Sequence, residues 1–204
     1  MQNFMCDLTY VGAGLPFYRP THWEAAGRFD TTKQYAEART AMAMVCVDGV
    51  PCGYEEDGTP VVVLVLRKDK EESDGPFAGQ YWIVGGKWNW VDTFSEFIRT
   101  KAIGELFNGN FNRDELYVPE GFIGGMPIMV GWSAGENSPY GLPGVSWQCC
   151  YQVIFKNRIR KEMFKLDENH EDYVFIRPGD HLAHLHPYVR DVIQMSGWLT
   201  QKHS

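Results

Sequence analysis

The pattern of apolar and polar positions is clearest over residues 94–106, where Phe94, Phe97, Ile98, Ala102 and Leu106 recur at helical spacing. This predicts an amphipathic helix with those five side chains against a core. Thr93 and Glu96 stand in a T-x-x-E relation, so each can satisfy a free backbone donor at the helix start. At roughly 100° per residue, Glu105 points almost the same way as Phe94. An inward carboxylate is costly unless it is paired or bound to metal. Lys101 stands one turn earlier and can pair with it as an ordinary i,i+4 neighbour.

Shorter apolar runs predict strands. AMAMVCV (41–47) and VVVLVLR (61–67) are rich in β-branched residues and are joined by the turn-rich GVPCGYEEDGTP. QYWIVGG (80–86) is an aromatic strand running into Gly85-Gly86. WQCCYQVIF (147–155) and YVFI (173–176) are later strands, and the neighbours Cys149 and Cys150 point to opposite faces. Pro178 begins a short helical turn, and PYVRDVIQMSGWL (187–199) reads as a final amphipathic helix. Residues 1–30 are rich in proline, glycine and aromatics and read as an irregular arm, followed by a short helix over 31–39. Residues 108–146 hold many glycines and prolines and form a long excursion, expected to border a pocket. Strands in a mixed sheet with helices on both faces make an α/β/α sandwich.

Composition narrows the class. At 204 residues and 44% hydrophobic content, the chain supports one good core with an N-terminal extension. The net charge is −7, without a basic stripe, which argues against nucleic acid or an anionic membrane as partner. No stretch is long and apolar enough to span a membrane, and the N-terminus lacks a signal-peptide pattern. The cysteines, five in number and scattered, read as reduced thiols in a cytoplasm.

The candidate chemistry lies where strand, glycine pair and helix meet. A glycine pair lets backbone approach a ligand closely. A glutamate on the following helix can hold a divalent cation against that backbone, which suits a nucleotide diphosphate. An acidic protein that binds an anion needs local positive charge; Arg67 at the end of VVVLVLR, taken alone, reads as a strand-end surface charge.

Residues 80–107 resemble a Nudix box, the strand–loop–helix motif of hydrolases that cleave nucleoside diphosphates linked to another group. Against the pattern G-x5-E-x7-R-E-x2-E-E-x-G, counted from Gly86, Asp92 stands at the first Glu. Thr100 and Lys101 replace Arg-Glu, Gly104 and Glu105 replace Glu-Glu, and Phe107 replaces the last glycine. Only the final carboxylate of the metal-binding trio survives. The GDP-mannose mannosyl hydrolases also lose the central Arg-Glu and keep the last Glu. Their G-Y-W-F-V-P-G-G is similar to residues 79–86 here. Their D-E-Q-H-D-D-Y resembles Asp167-Glu168-Asn169-His170-Glu171-Asp172-Tyr173, and their V-H-x-x-x-R resembles Leu185-His186-Pro187-Tyr188-Val189-Arg190.

That resemblance implies a Nudix domain over residues 38–204, with a long loop insertion at about 108–146, behind an N-terminal arm and short helix over 1–37. It implies magnesium, or manganese in its place, held by the Gly85 carbonyl, Glu105 and Asn169. It implies His170 as general base, Arg67 as support for the leaving diphosphate, and His186 near the substrate. Lys101 replaces a carboxylate and can contact phosphate itself. The resemblance also carries an aspartate near the nucleotide on the first central strand, for which AMAMVCV offers none. His181 and His184 read as surface residues. The expected function is hydrolysis of a GDP-mannose-like nucleotide sugar in the cytoplasm; a homodimer is compatible with it. Two alternatives stay open: a Nudix module that binds a nucleotide-like ligand without cleaving it, and a diphosphatase attacking phosphorus.

Overall fold

The computed structural model describes residues 6–10, 16–20, 44–68, 79–88, 92–125, 128–130 and 146–200. Two five-residue strands, β1 (Cys6–Tyr10) and β2 (Pro16–Pro20), pair antiparallel as a separate ladder where the sequence predicts an irregular arm. The short helix expected over 31–39, and the domain boundary beside it, lie outside the described residues.

The body is an eight-stranded mixed sheet. Its long strands are β3 (Met44–Tyr54) and β4 (Pro60–Arg67). The short β5 (Tyr81–Trp82) and β6 (Val84–Lys87) follow, then helix α1 (Phe94–Phe107). Next come β7 (Leu116–Tyr117), β8 (Ile128–Val130), β9 (Ser146–Phe155), β10 (His170–Ile176) and helix α2 (Pro187–Ser196). The main path runs β10-β4-β3-β9-β7; β5 joins β4, β6 joins β3 and β8 joins β9. The pair β3–β9 is parallel and the others are antiparallel.

Strand β4 shows why the layers form. Val61, Val63 and Val65 join the core under α1, and Val62 and Leu64 join the core under α2, all fully buried. A strand covered on both faces reads as a continuous apolar run. Cys149 and Cys150 divide between the same two cores, as their adjacency predicts. Helix α1 buries all five predicted residues. Thr93 caps it by accepting from the Glu96 N–H at 3.2 Å, whereas the Glu96 carboxylate is taken by Arg99 and Arg113. Under the end of α1, Phe107 stacks on Phe111 and Phe164 with centroids at 4.0 and 5.4 Å.

Three boundaries differ from the sequence reading. Strand β3 does not stop at Val47 but continues to Tyr54 through residues that look turn-forming. The glycines there serve packing: a Cβ at Gly49 would lie 2.6 Å from the Ile98 side chain, and one at Gly53 would overlap the Ile159 side chain. Pro51 sits where β3 changes antiparallel partner from β6 to β4. Pro178-Gly179 is a turn closed by Asp180 N–H on the Arg177 carbonyl at 3.1 Å, not a helical turn. Helix α2 ends at Ser196, where Gly197 takes the left-handed conformation (φ 66°). Within 108–130, 3-10 turns and the strands β7 and β8 pack part of the expected excursion onto the sheet edge at β9. Among the described residues no helix is long and apolar enough to cross a membrane.

Candidate active site

The central sheet splits where β3 exchanges partners. Its first half pairs with β6 and its second half with β4, so the chain from Tyr81 to Lys87 crosses from β4 to β3. Gly85-Gly86 lies on that crossing, and α1 packs beside β6. This brings Glu105 against the glycine pair. Its carboxylate is 6% exposed and accepts from the Gly85 N–H at 3.3 Å through Oε2. Its Oε1 meets Lys101 Nζ at 2.7 Å. The Lys101 stem runs along the glycines, with Cε 3.8 Å from where a Cβ at Gly86 would stand.

A residue unmarked by the sequence reading joins them. Asp48 stands on β3 directly opposite Gly85 and is 5% exposed. The strand read from the sequence stops at Val47, just short of this aspartate; the structure carries it on through Asp48 to Tyr54. The Tyr188 hydroxyl donates to Asp48 Oδ2 at 2.7 Å and also meets Cys150 Sγ at 3.0 Å. Burial pushes the Asp48 carboxyl up from 3.8 to about 7. The hydrogen bond from Tyr188 opposes that rise, the Glu105 charge adds to it, and Arg67 and Lys101 oppose it. Burial likewise raises the Tyr188 phenol, with Asp48 adding to the shift.

The second group forms at the start of β10. His170 is the cross-strand partner of Arg67, with a bulge at Glu171 next to it. The His170 ring is buried, and its Nδ1 lies 2.6 Å from Asp167 Oδ1. Asp167 also accepts from the Asn169 N–H at 2.9 Å and from the Asn169 side-chain amide at 3.3 Å. Burial would raise the Asp167 carboxyl, but the hydrogen bonds from His170 and Asn169 outweigh it and hold it below the ordinary value. The Asp167 N–H donates to the Glu105 carbonyl at 3.3 Å, which ties this turn to the end of α1. Lys68 completes the link with its Nζ on the Glu168 carbonyl at 2.8 Å.

Gly85, Glu105 and Lys101 therefore touch, Arg67 and His170 are paired, and Asp167 joins Asn169 and His170 to one another. The Asn169 side-chain amide donates to Asp167 at the surface. His186 caps α2 by accepting from the Tyr188 N–H at 3.2 Å and packs on Trp82 at 5.0 Å. His181 and His184 are exposed, as read from the sequence.

Whether magnesium suits this arrangement follows from the donors present. Magnesium takes hard oxygen ligands in an octahedral shell. Both groups in contact with the Glu105 carboxylate are N–H donors, and one carries a full positive charge. Among the described residues no three His, Cys, Asp or Glu side chains gather to hold a metal. The residues as placed do not fit the ion.

No protein-family model matches the chain, and no curated protein matches it. Solved structures do match. The NUDIX domain of Shewanella oneidensis NrtR, complexed with ADP ribose, aligns at 16% identity over 81% of this chain and 96% of its own, with a TM-score of 0.55. A possible asymmetric diadenosine tetraphosphate hydrolase from Jonesia denitrificans aligns at 15% over 78% and 97%, also at 0.55. A MutT protein from Methanosarcina mazei aligns at 15% over 78% and 96%, at 0.51. At these identities the likeness is one of fold: the chain has the Nudix fold, an α/β/α sandwich around a mixed sheet.

Proposed function

We propose that this protein is a hydrolase of nucleoside diphosphate derivatives, with a GDP-mannose-like nucleotide sugar as substrate class and the sugar carbon as the point of attack. The observation that carries the reading is the Asp167–His170 contact of 2.6 Å beside Arg67. With Asp167 accepting the Nδ1 proton, the other ring nitrogen keeps its lone pair and can take a proton. That nitrogen accepts a proton from water as the water oxygen bonds to the sugar carbon. The bond from that carbon to the diphosphate oxygen breaks, and its electron pair leaves with the nucleoside diphosphate. Arg67 stabilises the charge that builds on this leaving group. The similar domain that holds ADP ribose binds a ligand of this chemical class.

A panel of nucleotide sugars, assayed for free sugar and free nucleoside diphosphate in isotopically labelled water, tests the reading. Label is expected in the sugar, and label in the nucleotide product means attack at phosphorus instead. His170→Gln is expected to lower turnover by about two to four orders of magnitude at a near-native melting temperature. An unchanged rate removes His170 from the reaction. The binding-only reading draws on one observation, the Lys101–Glu105 pair, which occupies the one surviving carboxylate of the box. Ligand binding without product across the whole panel would establish it.

A further inference from the structure

We infer that Lys101 is itself the cation that faces the ligand's phosphates, in the place a metal would take, with Glu105 as its positioning residue. This rests on the reading above that the ligand carries a diphosphate.

The ion pair is poorly explained as a helix stabiliser. Lys101 precedes Glu105, the less favourable order for an i,i+4 pair. Glu105 lies in the last turn of α1, where the helix dipole disfavours an anion, and no basic residue occupies that turn. Nor is it an ordinary surface pair, because Glu105 is 6% exposed and gripped from its other side by the Gly85 N–H. Burying a carboxylate this way is costly. What it achieves is to fix an ammonium over the glycines.

The ammonium stays accessible. The Lys101 side chain keeps 38% of its exposure, and of its three donors one goes to Glu105. Gly86 offers no side chain between the Lys101 stem and the backbone. Arg67, at the end of β4, is a second cation of the site, paired across the sheet with His170. A metal would compete with Lys101 for the same carboxylate.

Calorimetric titration of the full chain with inorganic pyrophosphate in excess EDTA decides the matter, with magnesium chloride alone as a parallel titrant. Pyrophosphate is expected to bind without metal, and magnesium alone to give no one-to-one binding. Lys101→Met is expected to weaken pyrophosphate by about tenfold or more, the usual effect of losing a charged hydrogen-bond donor. Lys101→Arg is expected to retain most of the affinity, and melting temperatures show that each variant folds. Binding that requires magnesium, or affinity in EDTA that survives Lys101→Met, overturns the assignment but leaves the diphosphate reading standing. No binding with or without magnesium overturns both.

Discussion

Two carboxylates are buried against the same glycine, and the molecule neutralises them differently. Glu105, on the helix, receives a full countercharge from Lys101 at 2.7 Å. Asp48, on the strand, receives a phenol from Tyr188 at 2.7 Å and, among the described residues, no cation in direct contact. Burial lifts Asp48 to about 7, so near neutral pH it is divided between charged and neutral forms. Burial alone therefore does not decide whether a carboxylate acts as an anion; the charge of its nearest partner does. One side of the glycine pair presents a fixed ion pair and the other a group that exchanges a proton near neutrality.

The largest effect is expected where the two carboxylates meet. Gly85 has φ 148°, and a Cβ there would lie 2.6 Å from the Val47 carbonyl and 2.7 Å from Asp48 Cα, as well as against the Asp48 carboxylate. Gly85→Ala is expected to cost about 3 kcal/mol or more, from overpacking and strained backbone together. The melting temperature should fall by roughly 6–12 °C. At Gly86 the nearest atom is 3.8 Å away, so the same change there should cost less. Equal losses at the two positions would show that backbone conformation, not the crowding by Asp48, fixes the first glycine.

A smaller effect, with a sign set by pH, separates Asp48 from Glu105. Folded Asp48 holds its proton up to about pH 7, against 3.8 for an unperturbed aspartate. Between those values the folded state binds more protons than the unfolded state, so stability falls as pH rises. The contribution is full below about pH 4 and is lost as pH rises through 7. Asp48→Asn keeps an acceptor for Tyr188 and removes the charge. It is expected to raise stability by about 2–3 kcal/mol more at pH 8 than at pH 5, with the gain gone below about pH 4. Glu105→Gln, which strands the Lys101 ammonium, is expected to lower the melting temperature at both pH values. If Asp48→Asn behaves like Glu105→Gln, the two sites are neutralised alike and the contrast fails.

The contrast was only half legible in the sequence. Helical periodicity placed Glu105 inward and Lys101 one turn away, because both follow from a spacing that a single helix enforces. The apolar, β-branched run of β4 announced a strand, and its burial on both faces came with the fold. Asp48 was invisible because Gly49, Pro51 and Gly53 look like turn residues. Their use here comes from Ile98 and Ile159 packing against bare backbone and from a change of strand partner, both long-range facts. Asp167 opened a recognised acidic motif, but its hold on His170 depends on the turn's geometry. In the sequence Tyr188 is one residue of an amphipathic helix; only the fold brings its hydroxyl to Asp48, 140 residues away.

The smallest effect concerns a third buried polar group on the Asp48 side of the sheet. Gln148 precedes Cys150 by two on β9, so its side chain leaves the same face as Cys150 and Asp48. It is 7% exposed, and its Oε1 is fully buried without a hydrogen-bond partner among the described residues. Glu105 has an ammonium and Asp48 a phenol; this carbonyl has neither. A buried acceptor left unpaired costs about 1–3 kcal/mol, whereas an apolar group of similar shape in its place costs nothing for desolvation. Gln148→Leu should therefore stabilise the protein by up to about 1 kcal/mol after a small loss for imperfect packing, or roughly 2–4 °C in melting temperature. Nucleotide-sugar affinity measured on the same variant separates two origins of the cost. Stability gained with affinity unchanged marks a packing defect. Stability gained with affinity lost marks a polar group kept unpaired for a ligand hydroxyl or amine, the trade of stability for function expected at a binding site. A fall in melting temperature would show that water already satisfies the amide, and the two faces of the sheet would then differ only in how Asp48 and Glu105 are neutralised.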